Sequence, residues 1–296
     1  MIAKLTLLCI FVLSVWCVGV MIYQLKQQPQ ITLTLKERLQ LISSGILAFI
    51  SDTIGVGSFA VNIALAKLFN TFRDEELPAM NNGAQVIPGA IESFLFMQVI
   101  HVDFVTLGTL VLGTCLGGVL GGHVVTRLSQ QAIRLSMMCC FILIISLLMG
   151  NELHLLPVGG ELTALHGHKL LIGFLAMIIC GSLTTVGIGL FAMVQGVLFV
   201  LGVSPAAAFP IMTTAGAMQQ PLTTLVFLKQ GKIPLKKTLI LSLSGILGVF
   251  IALPIVSHLS STWLHRLLIG IMLYNFITIG RTYLRNKMVN AEILAT

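Results

Sequence analysis

The stretch Gly55–Ala60 reads GVGSFA, and Gly187–Ala192 reads GIGLFA 132 positions later. The same offset aligns residues 45–113 with residues 177–245 without a gap. A solenoid needs at least three repeats, so two copies do not favour that architecture. Two apolar copies that are each broken by glycine are instead typical of secondary transporters, which carry a binding site between their repeats.

Composition assigns the chain to the membrane. Of its 296 residues 56% are hydrophobic and only 9% are charged, with a mean hydropathy of +1.01. So few charges cannot cover a soluble domain of this size. The apolar runs are longer than barrel strands, which predicts an all-α integral membrane protein. The net charge of +7 is assigned to loops that face anionic lipid, so the bilayer is the expected partner and nucleic acid is not.

The first 40 residues are predicted to form a membrane anchor and a cytoplasmic linker. The apolar run Leu5–Leu25 is longer than the core of a typical signal peptide, and no small-residue cleavage site follows it. A cleavable signal peptide is the competing interpretation.

Beyond the anchor, the chain divides into two repeats, residues 41–150 and 169–286, with an external connection at 151–168 and a cytoplasmic tail at 287–296. Each repeat starts with an apolar stretch split by glycine (41–70 and 169–203). Three segments of helical length follow in each. They are predicted at 79–99, 104–124 and 131–150 in the first repeat, and at 206–228, 235–256 and 262–281 in the second.

The positions of Lys and Arg predict the topology. Basic residues surround the first split stretch and cluster at Arg127 with Arg134 and at 229–237, whereas the connections 98–104 and 203–206 have none. Placing the basic loops inside makes each split stretch a re-entrant hairpin, and the two hairpins enter from opposite faces. The repeats are then inverted. Kinked single spans are the alternative, and they leave one basic loop on the wrong side.

The glycine breaks are the predicted substrate site. Gly55, Gly57 and Ser58 lie at one hairpin tip, and Gly187 and Gly189 lie at the other. Irregular backbone at membrane depth survives only inside protein or beside a wet cavity. A half-helix that starts after such a break directs its free N–H groups and positive dipole end at the midplane, where an anion can bind. Glycine that only permits close helix packing is the competing interpretation.

Neutral polar residues follow each hairpin and extend this predicted site. They are Asn81, Asn82 and Gln85 in the first repeat and Thr213 and Thr214 in the second. Amides and hydroxyls of this kind can orient an oxyanion. They also serve as ordinary hydrogen bonds between helices, which is the alternative.

Two acids have no acidic counterpart in the other repeat: Asp52 aligns with Thr184, and Glu92 aligns with Thr224. An unpaired carboxylate inside a membrane costs about 2.5–3.5 kcal/mol or more, which makes both acids proton-coupling candidates. For Asp52 the alternative is a cap on the half-helix that begins near Gly55. For Glu92 it is a structural hydrogen bond.

No motif for a catalytic nucleophile, a nucleotide or a dinucleotide cofactor is present, so neither an enzyme nor a cofactor is expected. The external connection carries His154, His166 and His168 with Glu152 and Glu161, but their spacing matches no defined metal motif, and no metal site is predicted. Two alternatives to an anion transporter stay open. One is a divalent metal-cation permease that uses these side chains and the buried acids, and the other is a non-transporting membrane scaffold or assembly factor.

The glycine turns of both copies resemble those of the sulfite exporter TauE/SafE family, which carries a GxGGG-like turn after the first apolar helix. The glycine-dotted span Gly113–Gly122, running into Arg127 and Arg134, is also similar to the family, and the resemblance covers about residues 41–284. Ser58 and Leu190 stand where the family often has a further glycine. The resemblance implies a permease for sulfite, organosulfonates or related small anions in the bacterial inner membrane.

The expected function is therefore secondary transport of a small anion by alternating access between the two tips. A homo-oligomer stays open, because the small-residue face of Gly113, Gly117 and Gly121 suits packing within or between protomers.

Overall fold

The computed structural model describes residues 2–28, 32–96, 102–153, 155, 160–187, 189–256 and 261–295, without the side chains of 2–3, 151, 192, 256, 261–265 and 286–295. This part of the chain is helical, and its one β feature is an isolated bridge between Leu162 and Val203. The predicted all-α class is confirmed. The helices are α1 (Ile2–Gln27), α2 (Leu35–Thr53), α3 (Ser58–Phe69), α4 (Leu77–Phe96), α5 (Phe104–Val125), α6 (Gln130–Glu152), α7 (Gly167–Thr184), α8 (Leu190–Val200), α9 (Pro205–Lys229), α10 (Leu235–Val256) and α11 (Ser261–Ala295). A short 3-10 helix, Asp74–Glu76, precedes α4.

The sequence repeats correspond helix by helix, with α2 to α6 in the first and α7 to α11 in the second. Their packing is reciprocal: α2 packs on α10 as α7 packs on α5, while α4 packs on α9 and α6 packs on α11. Each of these contacts thus has an equivalent in which the roles of the two repeats are exchanged. The equivalent helices α4 and α9 pack on each other at the centre. The backbone of α11 continues to Ala295, so the predicted tail is the end of this helix.

The first split stretch is α2 and α3: its second outer end contacts Lys237, and its first lies within electrostatic range of the same side chain. Glu37, in the first turn of α2, interacts electrostatically with the Lys237 ammonium group. The same ammonium donates to the backbone carbonyl of Thr71, just after α3, at 2.6 Å and lies 5.4 Å from the centre of the Phe72 ring. We call the surface around these ends the basic face. α2 leads away from it, and α3 returns to it.

The second split stretch, α7 and α8, also has both outer ends together. Lys169, near the start of α7, donates to the carbonyl of Leu201, after α8, at 3.4 Å. Just before α7, the N–H of Leu165 donates to the Thr106 hydroxyl, in the first turn of α5, at 2.9 Å. The other end of α5, at Val125, lies beside Arg73 on the basic face. We call the surface at the Thr106 end of α5 the opposite face.

Six helices in the described part of the chain are long and apolar enough to cross a membrane: α1, α5, α6, α7, α10 and α11. We also expected α4 and α9 as spans. They are long enough, at 20 and 25 residues, but too polar to be among the six. Both lie at the bundle centre, where buried asparagines, glutamines and threonines face protein instead of lipid. α7, expected as half of a hairpin, is long enough to cross at 18 residues.

The predicted N-terminal anchor packs on the two central helices. α1 contacts α9 and α4 through one face, where Ile10, Cys17 and Met21 are buried. Phe11 and Trp16 on other faces are exposed, as expected for side chains that meet lipid. α1 is therefore part of the bundle.

A buried charged cluster joins three elements at the basic face. The Arg134 Nε donates to Asp74 Oδ2 at 2.6 Å, and the Lys67 ammonium forms a second ion pair with Asp74. The expectation that Arg134 lies in a loop with Arg127 was wrong, because Arg134 is in the second turn of α6 and only 4% exposed. Charge patterning cannot show which arginine has a buried partner. The cluster ties the end of α3 to the 3-10 helix and to the start of α6.

Glycine brings α5 and α7 into backbone contact. A Cβ atom at Gly117 would overlap the carbonyl oxygen of Ile178, and one at Gly121 would lie 2.7 Å from the carbonyl oxygen of Ser182. Gly113 meets Phe174 in the same way. The small-residue face of α5 is thus used within the protomer, since it is covered by α7.

We expect Gly117→Ala to destabilise the protein by roughly 1–3 kcal/mol, because the added methyl group meets backbone that cannot move independently. Gly108 is the matched control: it lies on the same helix, is exposed, and has no atom within 4 Å of an added Cβ. Gly108→Ala should be neutral or stabilise by up to about 1 kcal/mol. Thermal unfolding of both variants in one detergent measures the difference, and equal midpoints would contradict the close packing.

Asp74→Ala should destabilise more strongly, by roughly 3–5 kcal/mol, because it leaves Lys67 and Arg134 buried without a counter-charge. Glu75→Ala is the control, since its partner Arg73 is 71% exposed and such pairs contribute at most about 1 kcal/mol. The unfolding midpoints of the two variants test this. A loss at Asp74 no greater than the loss at Glu75 would show that the buried cluster is not stabilising.

Candidate functional site

The first tip is a tight turn between α2 and α3. The N–H of Val56 and the N–H of Gly57 both donate to the Ser51 carbonyl, at 2.8 and 3.1 Å. Gly55 and Gly57 have φ angles of 94° and 95°, in the region that favours glycine. No atom lies within 4 Å of a Cβ added at either glycine. The backbone conformation of this tip therefore requires glycine, while the space in front of it is open.

The second tip differs from the first. Gly187 has a φ of 105°, and a Cβ added there would lie 3.6 Å from Asn81 and Pro78. Gly189, the counterpart of Gly57, has a φ of −58°, which any residue adopts. Ile188 between them is outside the described residues. The matched glycines therefore do not have matched conformations.

The two tips meet at one cavity of about 30 Å³, which is room for about two water molecules. Gly55 and Gly57 line it from the first tip, and Gly189 lines it from the second. Its polar side chains and its apolar wall come from several helices. The polar residues are Asp52, Gln85, Gln195 and Gln220; the wall is formed by Val56, Phe59, Ala60, Ile144, Leu148, Leu190, Phe191, Leu268 and Met272.

The carboxyl group of Asp52 caps the start of α3. Its Oδ1 accepts the N–H of Ser58 at 2.6 Å, and its Oδ2 accepts from the Gln85 amide nitrogen. The Ser58 hydroxyl donates to Gln85 Oε1 at 2.6 Å, which fixes the orientation of this amide. The capping role considered for Asp52 is therefore present, at Ser58. Ser58 itself is fully buried behind the cavity wall.

Glu92 lies behind Asp52, away from the cavity. The two carboxyl groups are in hydrogen-bond contact. The Thr53 hydroxyl lies 2.6 Å from Glu92 Oε1 and 2.8 Å from the Phe49 carbonyl oxygen. This hydroxyl has one hydrogen, so it can donate to only one of these oxygens. A structural hydrogen bond to Glu92, the alternative considered for this acid, is present.

The start of α8 has no such cap. Its N-cap residue is Gly189, which has no side chain to cap the helix, and among the described residues no other side chain accepts a hydrogen bond from its first turn. Thr184, at the position that matches Asp52, donates its hydroxyl to the Cys180 carbonyl within its own helix. Leu190 and Phe191 in the first turn of α8 line the cavity. The first turn of α8 thus lies at the cavity, and no carboxylate is bound to it among the described residues.

The predicted polar residues Asn81 and Asn82 of α4 donate hydrogen bonds to backbone carbonyl groups at and near the two tips. Asn81 donates to the carbonyl oxygens of Phe59 at 3.3 Å and Gly187 at 3.4 Å, so it links the two tips. Asn82 donates to the carbonyl of Pro78 at 2.9 Å and to that of Thr184 at 3.4 Å. Neither asparagine lines the cavity.

The threonines predicted in the second repeat also lie away from the cavity. Thr213 bonds within its own helix, to the carbonyl oxygens of Phe209 and Pro210, and Thr214 is buried. Of the ten residues predicted to bind substrate, Gly55, Gly57, Gly189 and Gln85 line the cavity, and the other six do not.

Gln195 and the apolar wall from α6 and α11 were missed from sequence. Gln195 is the one polar side chain of α8, and this isolation in an apolar helix is a signal that could have found it. Gln220 is buried, and its Oε1 has no hydrogen-bond partner. Nothing in the sequence distinguishes Leu268 or Met272 from other apolar residues of α11.

No group of three or more His, Cys, Asp or Glu side chains that could hold a metal occurs among the described residues. His166 and His168 are described, and His154 lies outside the described residues. Comparison of the chain with protein-family models, with curated proteins and with solved structures gave no match.

The cavity predicts a difference between two adjacent glutamines on α9. In a background without the six native cysteines, Gln220→Cys should react slowly with a small water-soluble thiol reagent, because this position lines the cavity and becomes reachable when the tips separate. Gln219→Cys should stay unmodified in the folded protein, since Gln219 is fully buried and bonds to Thr223 instead. Mass spectrometry measures the modified fraction. Equal labelling of both positions would place the cavity elsewhere.

Proposed function

We propose that this protein is a secondary transporter of a small anion, which binds between the two glycine tips. The uncapped start of α8 carries this proposal. Free N–H groups and the positive end of a helix dipole form an anion site without a lysine or arginine. Among the residues that line the cavity none is basic, and the amides of Gln85, Gln195 and Gln220 surround it. The Gln85 amide is held by Ser58 and Asp52, whereas the amides of Gln195 and Gln220 can present their NH₂ groups to an anion after a half-turn about the last bond.

Inverted repeats are part of the proposal. The segment after α3 contacts Lys237 on the basic face, where the start of α2 lies within electrostatic range of it. The ends of α7 and α8 meet at Lys169 near the other end of α5. This arrangement supports two re-entrant hairpins that enter from opposite sides, with kinked single spans as the alternative that it disfavours. Positive residues concentrate on the cytoplasmic side of membrane proteins, which assigns the basic face to the cytoplasm.

A second cavity supports a cytoplasmic route to the tips. It has a volume of about 330 Å³ and opens at the basic face between Arg73, Thr126 and Lys232. Pro78 lines this cavity and also lies against Gly187 of the second tip. Pro78 thus connects the wall of the second cavity to the second tip.

The small size of the central cavity is consistent with alternating access. It holds about two water-sized molecules, so an oxyanion such as sulfite requires the tips to separate before it binds. Rocking of one inverted repeat against the other would open the cavity to each side in turn. The resemblance to sulfite exporters supplies the substrates to test first: sulfite and organosulfonates.

The test is binding and transport by purified protein. Sulfite or methanesulfonate should raise the unfolding temperature in detergent and exchange across proteoliposome membranes. Gln220→Leu should weaken both effects at least fivefold, because it removes an amide from the cavity, whereas Gln219→Leu should retain them. Stabilisation by divalent metals alone would favour a cation permease, and no stabilisation and no exchange would favour a scaffold.

A further inference from the structure

We infer that Asp52 and Glu92 form a proton-binding pair that couples one proton to each transported anion, an assignment that rests on the proposed function. The two acids lie in different environments, and this difference suits proton coupling. Asp52 lines the central cavity, and Glu92 does not. Both are buried, at 4% and 2% exposure, and they contact each other directly.

The hydrogen-bond donors around the pair show where its first proton lies. Both carboxyl oxygens of Asp52 accept hydrogen bonds, from the Ser58 N–H and from the Gln85 amide, as expected for a carboxylate. Glu92 is in contact with this carboxylate, and two carboxyl groups bond only when they hold a proton between them. Because the one hydrogen of Glu92 lies toward Asp52, the hydrogen between Thr53 and Glu92 Oε1 comes from the threonine hydroxyl. Glu92 is then the neutral acid, and Asp52 is the anion.

Neither carboxyl group has a cationic partner among the described residues. The elements packed around the pair carry charged groups, most of them near helix ends; α2 itself has Lys36, Glu37 and Arg38 in its first turn, more than two helical turns from Asp52, and the others lie on neighbouring elements. These are Lys67 at the end of α3, bound to Asp74; Asp74, Glu75 and Glu76 of the 3-10 helix; Lys229 at the end of α9; Lys236 and Lys237 in the first turn of α10; Lys4 and Lys26 near the two ends of α1; and Arg266, Arg281 and Arg285 of α11. No nearby cation therefore replaces a proton as the counter-charge.

The Asp52 carboxylate competes directly with a bound anion. It lines the cavity, so its negative charge repels an anion that binds at the start of α8. When a proton from cavity water binds Asp52, hydronium becomes water and the carboxylate becomes a neutral acid. The repulsion then disappears, and an anion can bind between the tips. Release of the anion on the other side returns the proton to water there.

The second repeat sets the stoichiometry at one. Thr184 and Thr224 stand at the positions that match Asp52 and Glu92, and a threonine hydroxyl does not titrate in the physiological range. Glu92 keeps its proton throughout and acts as a positioning residue, because it donates to Asp52. One proton thus accompanies each anion.

The experiment uses methanesulfonate, whose charge stays constant between about pH 5 and 9, so that only the protein titrates. Above the pH at which Asp52 loses its proton, the apparent Kd of the wild-type protein should rise about tenfold per pH unit, as linkage of one proton to one anion requires. In proteoliposomes an inward proton gradient should drive accumulation, and an internal pH dye should report proton entry with the anion.

Asp52→Asn should bind and exchange methanesulfonate at all pH values but lose gradient-driven accumulation and proton entry, because the amide imitates the protonated acid. Glu92→Gln should retain coupling, since its amide can donate to Asp52, whereas Glu92→Leu should shift the pH midpoint of binding. Glu161→Gln, at an exposed position in the connection before α7, is the control and should match the wild type.

The outcomes separate the two proposals. Wild-type exchange that ignores pH and proton gradients, accumulation that depends on Na⁺, or proton-driven accumulation by Asp52→Asn would overturn the proton pair while the anion transporter stands. Absence of any binding or exchange by the wild type would overturn both. The pH dependence of binding is measured on the wild-type protein. It therefore tests proton coupling even if the Asp52→Asn variant does not fold.

Discussion

Backbone that leaves the helical path at membrane depth must find its hydrogen-bond partners within the protein, because lipid offers none. Both glycine tips depend on this constraint, and α4 satisfies much of it. Asn81 and Asn82 hold carbonyl groups of the tips, and Gln85 holds the carboxylate that caps α3. A helix with these side chains cannot face lipid, so α4 must be enclosed. The packing of α9, α10 and α1 around it follows from that need.

The helix that follows each tip starts with unpaired N–H groups, and the two tips differ in whether a side chain caps them. The function we propose depends on this difference. At the first tip the chain supplies its own anion, the Asp52 carboxylate, to the start of α3. At the second tip Thr184 bonds back to its own helix and leaves the start of α8 without a cap. In the function we propose, the Asp52 carboxylate at the cavity is the titrating anion, and the uncapped start of α8 is the site for the transported anion. A strictly symmetric pair of tips would lack this combination.

Other interactions determine which parts can move together. Backbone contact through glycine couples α5 to α7 and α2 to α10, so each split stretch is held by a helix of the other repeat. On the basic face, Asp74 joins the end of α3 to the start of α6 through Lys67 and Arg134. The apolar wall of the cavity, with Ile144 from α6 and Leu268 from α11, is formed by side chains, which can adjust their positions more easily than helices in backbone contact. Movement between the repeats is therefore more readily accommodated along α6 and α11 than along the glycine contacts.

The sequence by itself determined the helical membrane class, the two repeats and the positions of their breaks, because hydropathy, repeat offset and glycine content are local properties of the chain. It also identified Asp52, Glu92 and the tip glycines as unusual for membrane segments. Only the tertiary structure decided that Gly189 but not Gly187 reaches the cavity, that Asn81 holds backbone, that Gln195 lines the site and that Arg134 is buried. These outcomes depend on which helix ends meet across more than a hundred residues of chain. Equivalent sequence positions therefore acquire different neighbours, and with them different chemistry.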